Sequence, residues 1–223
     1  MLWLLVYKVL PQNADANMQT VWDDILELYK AHKVESQYTS LTTSSFTTDN
    51  KPTKDYPRLK GRGAEVKGLV SIMVVIWDKH RRRRGANAVH DRRVLEILQR
   101  QDAIKSLVDD YKYDAFMPVE KSDELRVCID RFLVLWTDLG HAADERMDLL
   151  FTSAPKLHWL WHFGVRSRYL SPRRGACLLD EDFVKYMKTI GQRCTAGTQL
   201  HNVPKLMMTK YRWLEMIEST SVS

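Results

Sequence analysis

Two histidines in the segment His158-Trp-Leu-Trp-His162 have the spacing of a metal chelate. Residues four apart on a helix lie on one face, and neutral imidazoles bind divalent metals. Two ligands are fewer than the three of a catalytic zinc or the four of a structural zinc. His141, Asp144 or Glu145 could supply a third if the preceding helix packs antiparallel. The pattern leaves two interpretations: a metal site, or two rings at a helix surface or hydrogen-bonded in the core.

The run Lys79-His-Arg-Arg-Arg-Arg84 is the second group that could do chemistry. It follows an apolar helical stripe and precedes Gly85, so we predict that it lies on an exposed turn at a helix C-terminus. Four adjacent arginines are not all buried in a folded protein. Because guanidinium donors match phosphate oxygens, such a turn could hold a nucleic-acid backbone without reading base sequence.

Other arginines could join this run on one face of the molecule. The predicted nucleic-acid contacts are Lys79, Arg81, Arg82, Arg83, Arg84, Arg92, Arg93, Arg173 and Arg174. The run also fits a nuclear import signal. A third interpretation is a solvated turn whose charge favours the helix C-terminus and pairs with the acidic segment 101–150.

Charge is distributed unevenly along the chain. Residues 1–50 carry net −3, 51–100 net +9, 101–150 net −6 and 151–223 net +6, within a total of +6. Such a segmented chain favours electrostatic contact with phosphates, or between its own segments.

Motifs of known catalysis are missing from the sequence. Gly61-Arg-Gly63 lacks both the third glycine of a dinucleotide fingerprint and the lysine of a phosphate loop, and no nucleophile signature is present. We therefore favour a non-enzymatic protein without a cofactor over an enzyme. Trp136, Trp159, Trp161 and Trp213 fall on helical segments, where tryptophan usually fills core volume.

The elements that must position these residues are helices. Apolar residues recur every three or four positions from Val66 to Trp77, and again within residues 88–111, 118–150 and 180–197. Further helices are predicted to begin near Ser153 and Pro204, and Gly140 is a position where the long fourth helix could bend.

The predicted fold is all-α, an irregular helical bundle of six or seven helices with an N-terminal helical extension. Eight of the ten residues from Thr39 to Thr48 are Ser or Thr, which predicts a linker. The predicted organisation is therefore an extension over 1–38, a linker over 39–57 and a helical domain over 58–218.

Three stretches resemble uncharacterised open reading frames that recur in protist algal genomes. They are Pro57-Arg-Leu-Lys-Gly-Arg-Gly-Ala-Glu-Val-Lys67, Tyr169-Leu-Ser-Pro-Arg-Arg174 and Glu181-Asp-Phe-Val-Lys-Tyr-Met-Lys188. The resemblance covers about three quarters of the chain, and it implies no activity, substrate or binding residue.

The composition favours a soluble, intracellular protein. Three widely spaced cysteines form no disulfide framework, and the apolar run from Leu2 to Leu10 is too short to span a bilayer. We predict a non-enzymatic interaction protein, whose partners are a nucleic acid, bound through the basic run, or other proteins. The alternatives are a helical-bundle metalloprotein or enzyme using His158 and His162, and a degenerate fragment of a mobile-element product without activity.

Overall fold

The protein is all-α, as the sequence predicts. A computed structural model describes residues 1–46, 56–84, 88–172, 189–190, 192, 194–195 and 202–210. The α-helices before residue 172 are α1 (Leu2–Leu4), α2 (Ala14–His32), α3 (Gly63–Arg84), α4 (Ala88–Asp110), α5 (Val119–Asp144) and α6 (Pro155–Arg166). A π-helical turn (Leu5–Val9) continues α1, and a 3₁₀ turn (Thr43–Ser45) follows α2. The chain divides into two compact units, Met1–Pro172 and Arg173–Ser223.

Helix α2 has clear start and stop signals. The Asn13 side chain accepts a hydrogen bond from the Ala16 amide at 2.9 Å, as an N-cap residue does. Lys33 ends the helix in the left-handed conformation, at φ 49°. Between these ends, Val21, Ile25 and Tyr29 form a buried stripe.

The N-terminal residues belong to the core of the first unit. Leu5 and Val6 are at most 1% exposed, and they lie in the same apolar cluster as Ile76 of α3, Ile97 of α4 and Leu139 of α5. The segment predicted as an extension over 1–38 therefore shares one core with the helices that follow it.

The described part of the Ser/Thr-rich stretch is packed against this core. Leu41 and Phe46 are its buried anchors. The end of this stretch is hydrogen-bonded to the residues that precede α3. The Arg58 amide donates to the Phe46 carbonyl at 3.1 Å, and the Lys60 amide donates to the Ser45 carbonyl at 2.8 Å. Residues 39–46 consequently have a fixed place in the fold.

Helices α3 and α4 form an antiparallel hairpin. Their cross-contacts run in opposite directions along the two helices: Ser71 Oγ donates to Asp102 Oδ1 at 2.5 Å, and, later in α3 but earlier in α4, the Trp77 indole N–H donates to the Asp91 carbonyl at 3.0 Å. At the other end, Lys67 pairs with Asp109. This arrangement places the end of α3 beside the start of α4.

Helix α5 packs against α4 and α6. It continues through Gly140 to Asp144, so the bend considered there does not end it. Helix α6 begins at Pro155, and its N-cap residue is Ala154, one residue later than the predicted N-cap Ser153. None of the described helices combines the length and apolarity needed to cross a bilayer.

The second unit is described in short pieces. Ile190 and Cys194 are buried, on the face predicted to turn inward. Residues 203–210 are helical. Arg173, Arg174 and Trp213 lie outside the described residues.

Candidate nucleic-acid interface

The hairpin of α3 and α4 brings two predicted groups of basic residues to one end. The run from Lys79 to Arg84 forms the last turns of α3, and Arg92 and Arg93 lie in the first turns of α4. The indole of Trp77, 0% exposed, joins the two helices just before this end. We call these residues the basic end of the hairpin.

The run is helical, so the predicted exposed turn is wrong. Asp78 stabilises these last helical turns, since its carboxylate accepts from Arg81 Nε at 2.8 Å and pairs with Arg82 at 2.5 Å. The burial of Asp78 raises the pKa of its carboxyl, but the hydrogen bonds from both arginines outweigh this and lower it. Asp78 is thus a stable anion beside the run.

Asp24 of α2 holds the other side of the run. It accepts a hydrogen bond from Lys79 Nζ at 2.6 Å, and its second oxygen lies 2.7 Å from His80 Nε2. Burial raises the pKa of Asp24, whereas the hydrogen bonds and charges of Lys79 and His80 lower it, and the net shift is downward. Lys79 is therefore already paired with a carboxylate of the same protein.

The remaining predicted contacts differ in how far they face solvent. The Arg82 side chain is 71% exposed, while that of Arg81 is only 23% exposed. Arg92 is exposed and Arg93 is half-buried. The backbones of Arg83 and Arg84 are helical, and their side chains, like Arg173 and Arg174, lie outside the described residues.

The Asp24–His80 pair is the feature that sequence reasoning missed. His80 is 2% exposed, and its Nδ1 has no hydrogen-bond partner within the described structure. It lines a cavity of about 360 Å³ together with Asn17 and Thr20. No local pattern marks this pair, because its members are 56 residues apart. The only available signal was a histidine inside an arginine run.

The two histidines of α6 do share a face. His158 Nε2 and His162 Nε2 are 3.0 Å apart, with the ring planes nearly perpendicular at 88°. Within the described part of the chain, no group of three or more His, Cys, Asp or Glu side chains is placed to hold a metal. His141, Asp144 and Glu145 therefore do not complete a three-ligand site.

Two tryptophans of α6 are not core residues, contrary to prediction. Trp159 is 63% exposed and Trp161 is 40% exposed. Helix α6 packs on α5 through Leu157, Leu160 and Gly164, and the tryptophans flank this narrow stripe. Trp136 is half-buried and donates to the Thr152 carbonyl at 3.2 Å.

Neither a protein-family model, nor a curated protein, nor a solved structure matches the chain. The resemblance to algal reading frames remains a prediction.

Proposed function

We propose that the chain is a non-enzymatic interaction protein that binds nucleic-acid phosphates through the basic end of the hairpin, without reading base sequence. The observation that supports this is the placement of the Lys79–Arg84 run and of Arg92 and Arg93 at one end of α3 and α4. A phosphate backbone presents closely spaced negative charges, so clustered cations bind it more strongly than dispersed ones.

By residue type, the basic end carries an excess of positive charge. Seven basic residues lie there, Lys79, Arg81–Arg84, Arg92 and Arg93, against three acids, Asp24, Asp78 and Asp91. Seven minus three leaves four positive charges. Because the Arg82 side chain is 71% exposed although it pairs with Asp78, and Arg83 and Arg84 follow it in the same run, we assign the main phosphate contacts to Arg82, Arg83 and Arg84.

The test is the salt dependence of binding to duplex DNA and to single-stranded RNA. Each neutralised duplex phosphate contributes a slope of about −0.9 in log affinity against log salt. The triple variant Arg82→Ala/Arg83→Ala/Arg84→Ala, which keeps the Arg81–Asp78 contact, is expected to reduce the magnitude of the duplex slope by up to about 3.

The matched control removes the same charge elsewhere. Lys112, Arg126 and Arg166 are exposed and lie away from the basic end. Their triple alanine variant is expected to change the slope little. An equal loss in both variants would contradict the assigned location, and absence of binding by the unaltered protein at low salt would contradict the function.

The same run supports a second, dependent proposal about location. A cluster of Lys and Arg is what a nuclear import receptor reads, so we propose that the protein is intracellular and enters the nucleus. A fluorescent fusion of the full chain is expected to accumulate in nuclei, and the triple variant at Arg82–Arg84 to lose this accumulation while the control variant keeps it.

A further inference from the structure

We propose that His158 and His162 form a chelating site for a divalent transition-metal ion that favours square-planar or octahedral coordination, such as Cu²⁺ or Ni²⁺. This site lies on α6 and is independent of the basic end of the hairpin. It needs two protein ligands, with water in the remaining positions.

The distance between the two nitrogens, which is also their hydrogen-bond distance, fits a right-angled coordination geometry. Metal–imidazole bonds are about 2.0–2.1 Å long, so two nitrogens at a right angle around one metal lie about 2.8–3.0 Å apart. At the tetrahedral angle of zinc they would lie about 3.3–3.4 Å apart. The observed Nε2–Nε2 distance of 3.0 Å matches the right angle, which is the arrangement of tetragonal Cu²⁺ and Ni²⁺ sites.

The fold holds both ligands on a supported helix. Pro155 at the first helical position starts α6, and Gly164 lies close to Ile129 of α5. Leu157 and Leu160 pack against the core, which turns the two histidines away from it: His158 is exposed and His162 is half-buried. Since the helix already sets their spacing, binding orders few additional bonds.

Binding replaces one hydrogen bond with two metal–nitrogen bonds. The two Nε2 atoms now share a proton, one ring donating and the other accepting. When a metal binds, both Nε2 lone pairs go to the metal and each neutral ring carries its N–H at Nδ1. No proton is lost from two neutral rings, because the donor ring changes only its tautomer.

The surroundings set the affinity and provide a reporter. Arg166 follows His162 by one turn, so its positive charge repels a bound dication and lowers the affinity of the site. We expect this affinity to be lower than that of a three-ligand site. Trp161 and Trp159 have ring centroids 5.0 Å and 6.1 Å from that of His162. A paramagnetic ion bound there would quench their fluorescence.

The experiment titrates CuCl₂ and NiCl₂ separately into the full chain in a non-chelating buffer. Fluorescence quenching and calorimetry should show one site per chain that needs both histidines, and the Cu²⁺ electron paramagnetic resonance spectrum should show two coordinated nitrogens. Either His158→Ala or His162→Ala is expected to weaken this site on the order of 100-fold, because the intramolecular second ligand is lost.

A control retains the number of histidines and breaks only the spacing. His162→Ala/Arg166→His places the second ring eight residues from His158 and also removes the opposing charge. It is expected to bind as weakly as His162→Ala, and His32→Ala and His141→Ala to bind as the unaltered chain does. The proposal is overturned if the spacing variant binds with full affinity, if either single histidine variant does, or if no site with two-nitrogen coordination appears. Helical circular dichroism of each variant checks that α6 is folded.

Discussion

Asp24 is the residue that joins the end of α3 to α2. Its side chain is 13% exposed, and both oxygens have cationic or imidazole partners. Asp24→Asn would remove the charge while keeping the shape, leaving Lys79 and the buried His80 with weaker partners. We expect a loss of about 2–3 kcal/mol in the free energy of unfolding, measured with urea. Asp23→Asn on the exposed face is the control and should stay within about 0.5 kcal/mol; equal losses would contradict this role.

The same carboxylate predicts a direction of pH dependence. The folded pKa of Asp24 lies below its ordinary 3.8, so its contribution to stability is complete above that value and is lost as the pH falls through the folded pKa. The unaltered protein should therefore lose stability toward acid more steeply than Asp24→Asn, in urea unfolding from about pH 6 to the lowest pH at which it folds. Parallel curves would show that Asp24 contributes nothing to acid unfolding.

Sequence reasoning identified the charged residues and histidines, but not the residues with which they pair. The arginine run and the histidine pair are local patterns, and their residues could be named from spacing alone. The contact of Asp24 with Lys79 and His80 depends on how α2 packs against α3, which no local pattern encodes. For this reason the run was predicted to face solvent, although His80 is buried and Lys79 and Arg81 are paired.

Helix α3 contains a glycine that its packing requires. A Cβ atom at Gly68 would lie 2.4 Å from the Ser36 carbonyl oxygen, a contact with backbone that cannot rotate away. Gly68→Ala is expected to destabilise the protein by about 1–3 kcal/mol, because the segment after α2 must move. At Gly63, the first residue of α3, a Cβ would meet nothing within 4 Å. Gly63→Ala should therefore be neutral or stabilise by up to about 1 kcal/mol, and thermal unfolding of the two variants compares them directly.

Periodicity predicted the helices better than it predicted their surroundings. The stripes of α2 to α5 are the faces that pack together, because a 3.6-residue repeat of apolar side chains is stable only when buried. On α6, the periodicity predicted a wider buried face than the helix has. The helix packs on one side, so Leu157 and Leu160 meet the core while Trp159 and Trp161 flank the contact.

The core of the first unit is built from residues that are far apart in the chain. The Ser/Thr-rich composition predicts a linker after an N-terminal helical extension, and within that extension Leu5 and Val6 pack in the cluster that includes Ile97 and Leu139. Composition reports how polar a segment is on average. It does not report that a few anchors, here Leu41 and Phe46, hold the polar stretch against a core.

A shared core makes the first unit unfold as one cooperative body. Leu5 is 0% exposed, and truncating a fully buried leucine costs about 2–5 kcal/mol. Leu5→Ala should therefore lower the urea midpoint of the main helical transition itself, since Leu5 contacts the same cluster as α3, α4 and α5. Leu139→Ala should shift that transition by a similar amount, although it lies on the other side of the Ser/Thr-rich stretch.

In both variants, tryptophan fluorescence and circular dichroism should report coincident midpoints. If Leu5→Ala instead split off an early transition and left the main one unchanged, residues 1–38 would be an independent extension despite their contacts.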